Sequence, residues 1–174
     1  MSQKENEFID QPSIGETEPI RVILADDDKE DQELFEQALE KTGLNTELTM
    51  VNNGKELVDN LKDPTQENPD LIFIDINMPV KDGKEALKEI KQDEELWEIP
   101  TVILSTSQNQ REVKETFDAG ASLYVAKPYS FKNFILLLKK VFSFHWAGLL
   151  LKPVWQRFFI SEKNIQDDAG NRRA

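Results

Sequence analysis

The sequence predicts an α/β fold built on one doubly wound, parallel β-sheet of five strands. Short apolar runs alternate along the chain with segments of helical period, which is the pattern of repeated β-α units. Three of the runs, Val22-Ile23-Leu24, Leu71-Ile72-Phe73-Ile74 and Val102-Ile103-Leu104, are apolar without interruption. Strands read this way when helices cover both faces of a parallel sheet. Sheets of this kind bind ligands at the carboxyl ends of their strands.

The strands are predicted at residues 21–25, 47–51, 71–76, 101–105 and 122–126, and the helices at 29–41, 55–61, 83–92, 110–119 and 131 to about 144. In the first helix, Leu34, Ala38 and Leu39 supply the stripe that we expect to face the core. Asp28 is placed to cap the start of that helix, and Gly43 is placed to end it. The connections are short, which implies right-handed crossovers between the strands.

The chain of 174 residues has room for one well-cored domain with appendages. Residues 1–19 are polar and contain helix breakers, and we expect a flexible acidic leader there. The domain is expected over residues 20–142. An aromatic extension and a polar tail follow over residues 143–174. The aromatic run within it is open to two interpretations, packing on its own domain or docking a partner. Apolar residues run nearly all round the last helix, which favours an interface.

The composition excludes several classes of protein. The 33 acidic residues against 21 Lys and Arg give a net charge of −12, which argues against nucleic acid as a partner. There is no cysteine, so no disulfide and no thiolate metal site can form. The first residues carry no apolar core of a secretory signal, and no apolar run reaches the length of a membrane span. We therefore expect a cytoplasmic protein.

Charged side chains follow three different strands of the predicted sheet. Asp26 and Asp27 come after the first strand, Asp75 ends the third and Lys127 follows the fifth. The carboxyl ends of parallel strands share one edge of a sheet, so we expect these groups to converge. Carboxylates that converge repel each other unless a cation neutralises them, and Mg²⁺ prefers such hard oxygen ligands. We expect Asp26, Asp27, Asp75 and the backbone carbonyl of Asn77 to hold Mg²⁺.

These residues and their order resemble a response-regulator receiver domain of the CheY-like kind. The acidic pair, Asp75, the hydroxyl of Ser105 and Lys127 all occupy positions that define that family. The resemblance implies a flavodoxin-like sheet of order 2-1-3-4-5, with Asp75 as the phosphoacceptor and with Ser105 and Lys127 contacting the phosphoryl group. It also implies a switch role for Tyr124, which turns inward when Ser105 shifts, and a cis peptide between Lys127 and Pro128.

Stand-alone regulators paired with bacterial phytochromes and other sensor kinases are similar in local sequence. The resemblance is carried by Asp75-Ile76-Asn77-Met78-Pro79, Ser105-Thr106-Ser107 and Lys127-Pro128. The resemblance implies that a sensor histidine kinase or phosphotransfer protein donates phosphate to Asp75. With no output domain after Lys127, the signal is expected to leave by protein contact with an unknown downstream protein or by homodimerisation on the final helix and its aromatic extension. The protein would then be a phosphoacceptor rather than an enzyme, catalysing only its own phosphorylation and dephosphorylation.

Three alternatives remain at this point. A magnesium-dependent phosphatase or phosphotransferase also uses an aspartyl phosphate on a doubly wound sheet, but it wants a second Asp where this chain has Asn77. A pseudo-receiver would act as a scaffold without taking phosphate, although every chemical position is intact. Membrane-surface binding through the aromatic extension is disfavoured by its few basic residues, among them Lys152 and Arg157.

Overall fold

Six parallel strands are present in the part of the chain that the computed structural model describes, residues 18–144 and 154–164. They are β1 (Ile20–Ala25), β2 (Thr46–Val51), β3 (Leu71–Ile74), β4 (Thr101–Ser105), β5 (Leu123–Ala126) and β6 (Phe159–Ile160). Their order across the sheet is β2-β1-β3-β4-β5-β6. The flavodoxin-like order 2-1-3-4-5 predicted for the first five strands is confirmed.

The sixth strand is a correction to the five-stranded sheet. β6 lies parallel to β5, with Phe159 beside Tyr124 and Ile160 beside Val125. Two residues are too short to show a strand period, and their pairing depends on β5 being the edge of the sheet. Among the residues described, the aromatic extension therefore packs on its own domain through this segment. Of the rest of the extension and tail, residues 145–153 and 165–174 lie outside the described part, as do residues 1–17 of the leader.

The helices are α1 (Lys29–Thr42), α2 (Gly54–Leu61), α3 (Gly83–Gln92), α4 (Gln110–Asp118), α5 (Phe131–Phe142) and the short α6 (Trp155–Phe158). The Asp28 side chain accepts hydrogen bonds from the first turn of α1, and Gly43 ends that helix in the left-handed conformation, so both caps are confirmed. Leu34 is a correction, because it is 39% exposed, whereas Phe35, Ala38 and Leu39 are buried. The spacing i, i+3, i+4 starts one residue later than predicted.

Helices cover both faces of the sheet. Alternate strand residues such as Ile23, Ile72 and Ile103 pack in one core layer with α2 and α3. The residues between them, such as Leu24 and Phe73, pack in a second layer with α1 and α5. The edge strand β2 keeps residues such as Thr49 and Met50 exposed, whereas the central strands are buried on both faces and meet solvent at their ends. The carboxyl ends carry the predicted site.

The last helix of the predicted domain is less exposed than its apolar sequence indicated. Phe134, Leu137, Leu138 and Val141 are buried in the second core layer, and Leu136 is 41% exposed. The domain itself therefore covers most of the surface that favoured an interface. Within the described ranges, no helix is long and apolar enough to cross a membrane.

Candidate functional site

Asp26 and Asp75 lie side by side because β1 and β3 are neighbours in register. Ala25 pairs with Ile74, and the backbone N–H of Asp75 donates to the carbonyl of Ala25 at 2.8 Å. Asp26 is 2% exposed and Asp75 is 9% exposed, whereas Asp27 is open to solvent. One carboxylate oxygen from each of the three lies within 4.8 Å of the others. The structure thus brings the three predicted acids together at the centre of the sheet edge.

Lys127 enters the same cluster from the end of β5, two strands away from Asp75. Its backbone N–H donates to the carbonyl of Ser105 at 2.8 Å, which fixes where the side chain starts. The Lys127 Nζ atom lies 2.8 Å from Asp26 Oδ2, 2.6 Å from Asp31 Oδ2 and 3.3 Å from Asp75 Oδ1. Its side chain is 12% exposed. One largely buried ammonium group therefore faces three carboxylates.

The cluster has more negative charge than its lysine can balance. Burial raises the pKa of Asp26 and of Asp75 above the usual range, even though Lys127 acts in the opposite direction on both. Burial also disfavours the charge of Lys127, but Asp75, Asp26 and Asp31 outweigh it and raise the pKa of the ammonium. A second positive charge would relieve the remaining repulsion between the acids.

The two oxygens of Asp75 have different surroundings. Oδ2 accepts a hydrogen bond from the backbone N–H of Asn77 at 2.9 Å, and Oδ1 faces Lys127. Asn77 is exposed, and the sequence predicted its carbonyl as a metal ligand. The loop that follows Asp75 returns close to the site at Gly83. Glycine allows this approach, because a Cβ at position 83 would lie 2.2 Å from the carbonyl oxygen of Asp75. A side chain at position 83 would therefore displace the backbone of Asp75.

Ser105 and Tyr124 lie in neighbouring strands that end at the same edge. Ser105 is fully buried at the end of β4, and its Oγ accepts a hydrogen bond from the backbone N–H of Ser107 at 3.1 Å. Tyr124 is also fully buried. Its hydroxyl lies 2.9 Å from the Ser107 carbonyl and 2.7 Å from Glu112 Oε1, both acceptors. Tyr124 is thus inward in this structure, and the ring of Phe159 lies 5.8 Å from its ring.

Two neighbours of the site were missed in the sequence. Asp31 contacts Lys127, and Gln32 Nε2 donates to the carbonyl of Asp26 at 2.5 Å. Both lie in the first turn of α1, and a helical projection from Asp27 would have placed them near the strand end.

The cis peptide implied between Lys127 and Pro128 is a correction. No cis bond occurs among the residues described, so this bond is trans. The two isomers of an X–Pro bond differ by only about 0.5–1 kcal/mol, so the trans form is energetically ordinary. Lys127 reaches its carboxylate partners with it.

The donor set fits a hard divalent cation. Asp26, Asp27 and Asp75 offer three carboxylate oxygens, the ligands that Mg²⁺ and similar ions prefer, and exposed Asp27 leaves room for bound water. Burial raises the pKa of Asp26 and of Asp75, and the three acids together carry more negative charge than the one ammonium group of Lys127 balances. A divalent cation held by these three residues would supply the missing positive charge.

Comparison with known proteins agrees with this geometry. The family model of the response regulator receiver domain matches residues 22–139. The chain is 34% identical to Response regulator Rcp1 of Synechocystis sp. over 143 residues, covering 79% of this chain and 97% of that protein. Curated relatives are thus matched over nearly their whole length.

Solved structures give the same result. The crystal structure of the phosphorylated cyanobacterial phytochrome response regulator RcpA has a TM-score of 0.68 and 32% identity, covering 75% of this chain and 96% of that one. The Mn²⁺-bound form of Rcp1 has a TM-score of 0.66 and 31% identity, covering 72% of this chain and 94% of that one. A CheY-like fold, an acidic cluster at its strand ends and a family match across the sheet all agree: this chain belongs to the response regulator receiver domain family of two-component signalling proteins.

Proposed function

We propose that the protein is a single-domain response regulator that accepts a phosphoryl group on Asp75 with Mg²⁺ and signals through phosphorylation-dependent protein contacts. The observation that carries the proposal is the cluster of Asp26, Asp27 and Asp75 with Lys127 at its edge. Asp26 and Asp75 are both buried, and each has one oxygen facing Lys127 and the other accepting from the backbone N–H two residues further on. Asp75 has the longer contact to Lys127, 3.3 Å against 2.8 Å, and it occupies the position that the family resemblance gives to the phosphoacceptor. We therefore assign it as the acceptor.

Each residue has a distinct role in this reaction. The Asp75 carboxylate is ionised when it attacks, so no general base is needed; its Oδ1 forms the new O–P bond as the bond from phosphorus to the donor breaks. Mg²⁺, when held by Asp26, Asp27, Asp75 and the Asn77 carbonyl, supplies Lewis-acid charge neutralisation to the phosphoryl oxygens. The Lys127 ammonium compensates the negative charge on a second phosphoryl oxygen. The buried hydroxyl of Ser105 moves toward the phosphoryl group and donates a hydrogen bond to a third oxygen.

The donor is proposed to be a sensor histidine kinase or a phosphotransfer protein, and the proposal places the reaction in the cytoplasm. The similarity to RcpA, which is described as a cyanobacterial phytochrome response regulator, supports a kinase partner of that type. A cavity of about 120 Å³ opens beside Lys127. Among the residues that line it, Leu34 is 39% exposed and Tyr129 is 93% exposed, which gives a partner an apolar contact near Lys127.

The output is proposed to be a protein contact, either with a downstream protein or between two copies of this chain through the final helix and its extension. Among the described residues of this region, Phe131, Leu136, Val154 and Trp155 are 37%, 41%, 52% and 41% exposed, and they offer apolar surface for such a contact. Tyr124 links this region to the site, because its hydroxyl contacts α4 and its ring lies next to β6. Size-exclusion chromatography with and without phosphorylation measures the dimer directly.

The chemistry is tested by incubating the protein with a small acyl phosphate and Mg²⁺ and measuring its intact mass. The wild type is expected to gain one phosphoryl group, and Asp75→Asn none. Asp59→Asn, which removes an exposed acid on α2, is the matched control and should gain the group like the wild type. The proposal fails if the wild type gains no mass, or if Asp75→Asn gains as much. A wild type that gains no phosphoryl group would favour the scaffold alternative.

A further inference from the structure

Asp31 makes the shortest of the three contacts to the Lys127 ammonium, 2.6 Å against 2.8 Å for Asp26 and 3.3 Å for Asp75. An ammonium group has three N–H donors, and a phosphoryl oxygen on Asp75 must obtain one of them. In this structure two of the donors have well-formed carboxylate partners, and the contact to Asp75 is too long for a strong hydrogen bond. Of the three carboxylates, that of the acceptor Asp75 therefore makes the weakest contact with the Lys127 ammonium.

Asp31 differs from Asp26 in what a bound cation would do to it. Asp26 belongs to the cluster whose oxygens converge within 4.8 Å, and a cation would draw on its charge. Asp31 is not among those converging acids, and its side chain is 38% exposed on the first turn of α1. Its contact to Lys127 is therefore the one that stays when the metal ligands are engaged.

The backbone under Asp31 is firmly placed. The N-cap Asp28 accepts from the backbone N–H groups of Glu30 and Asp31 at 2.8 and 3.3 Å, and α1 continues unbroken to Thr42. A charged side chain on a fixed helical turn, bonded to a largely buried lysine, holds that lysine on one side of the cleft. We propose that Asp31 is a positioning residue that retains the Lys127 ammonium on the α1 side and competes with the phosphoryl group for it.

This inference rests on the proposed function and adds a residue that sets how tightly the site binds a phosphoryl group. If Asp31 competes for Lys127, removing its charge while keeping its shape should release the ammonium to the phosphoryl oxygens. Asp31→Asn is then expected to strengthen binding of a phosphoryl-like anion. A purely structural role would have the opposite sign, because loosening the cleft would weaken binding. The two roles are thus separated by direction as well as by size.

The experiment measures binding of beryllium fluoride, which imitates a phosphoryl group, to the full chain in the presence of Mg²⁺ by isothermal titration calorimetry. Asp31→Asn should bind it about threefold to tenfold more tightly than the wild type, the range for one charge at a partly exposed site. Asp31→Glu, which keeps the charge, should stay closer to the wild type. Glu30→Gln is the matched control, because it removes one negative charge from the same helical turn at an exposed residue.

A second readout follows Lys127 itself. In protein labelled with ¹⁵N-lysine, the Lys127 ammonium signal should shift in Asp31→Asn and stay in place in Glu30→Gln. The inference is overturned if Asp31→Asn binds the anion no more tightly than Glu30→Gln does, while the wild type still binds it and the proposed function stands. If the wild type does not bind beryllium fluoride with Mg²⁺ at all, the proposed function and this inference fall together.

Discussion

Two lysines of this protein show that the surroundings of a buried charge decide its pKa. Lys127 faces Asp75, Asp26 and Asp31, which outweigh its burial and raise its pKa. Burial instead lowers the pKa of Lys91 to about 8. Its Nζ atom donates to the carbonyls of Trp97 and Ile99 at 2.9 and 2.7 Å, and those neutral acceptors compensate the charge less than carboxylates do. The first lysine is thus held charged, and the second loses its proton at a lower pH than an ordinary lysine does.

Lys91 should make the free energy of unfolding depend on pH. An unfolded lysine keeps a pKa of about 10.4, so between about pH 8 and 10.4 the unfolded chain binds more protons than the folded one. Stability contributed by this residue therefore rises with pH through that window. Denaturant unfolding at pH 7.5 and 10 should show a gain in the wild type that is smaller in Lys91→Met. Lys88→Met, at an exposed position of the same helix, should keep the gain; equal gains in all three would contradict the assignment.

The residues of the candidate site were predictable to the extent that they follow strands. Asp26, Asp75 and Lys127 each come directly after an apolar run, and Asp27 follows Asp26, so parallel strands place all four at one edge without further information. Asp31 was missed because its role depends on the direction of a lysine side chain from another strand. The strand position of Tyr124 was predicted, but its ring contact with Phe159 of β6 was not, because no local pattern encodes it. The ends of strands can be predicted from local sequence patterns, whereas contacts between side chains of different elements depend on the tertiary structure.

At the scale of elements, the five β-α units were predictable because each apolar pattern repeats over several residues and the residues that cap the helices are chemically specific. The capping box of α3, in which Asp82 and Glu85 bond each other's backbone, shows how a local signal fixes a helix start. The segment from Trp155 to Ile160 has no such signal. Its position is determined by tertiary contacts, since Phe158 is 1% exposed in the core and packs edge-to-face on Phe117 with ring centroids 5.0 Å apart.

That segment should contribute measurably to the stability of the sheet. Phe158→Ala leaves a cavity at the place where α6 docks, and a buried Phe→Ala change costs about 3–5 kcal/mol of unfolding free energy. If the segment instead undocks in Phe158→Ala, the loss of unfolding free energy cannot exceed the free energy with which the segment docks. Val154→Ala, at the 52% exposed residue just before this segment, should change stability by less than about 0.5 kcal/mol. Guanidinium unfolding of both variants measures the difference. A loss below about 1 kcal/mol for Phe158→Ala would show that the segment docks only weakly.

For the molecule as a whole, the acidic cluster places unbalanced charge at the ends of the central strands β1 and β3. Global unfolding separates Asp26, Asp27 and Asp75, so the folded state alone offers a converged site to a cation. A ligand that binds only the folded state stabilises it by about 2.7 kcal/mol at a concentration of 100 times its Kd. Because β1 and β3 are in the middle of the sheet, this energy should be felt by the whole cooperative transition rather than by one loop.

Mg²⁺ is therefore expected to raise the Tm of the wild type, by about 5–10 °C when the site is nearly saturated, since each kcal/mol shifts the Tm of a domain this size by about 2–4 °C. Calorimetry with Mg²⁺, and again after chelation with EDTA, measures the shift and its reversal. Asp27→Asn removes the exposed acid of the cluster and should lose most of the shift, while Asp59→Asn should keep it. An equal shift in all three proteins would mean that Mg²⁺ stabilises the fold by screening its net charge of −12 and not by occupying the cluster.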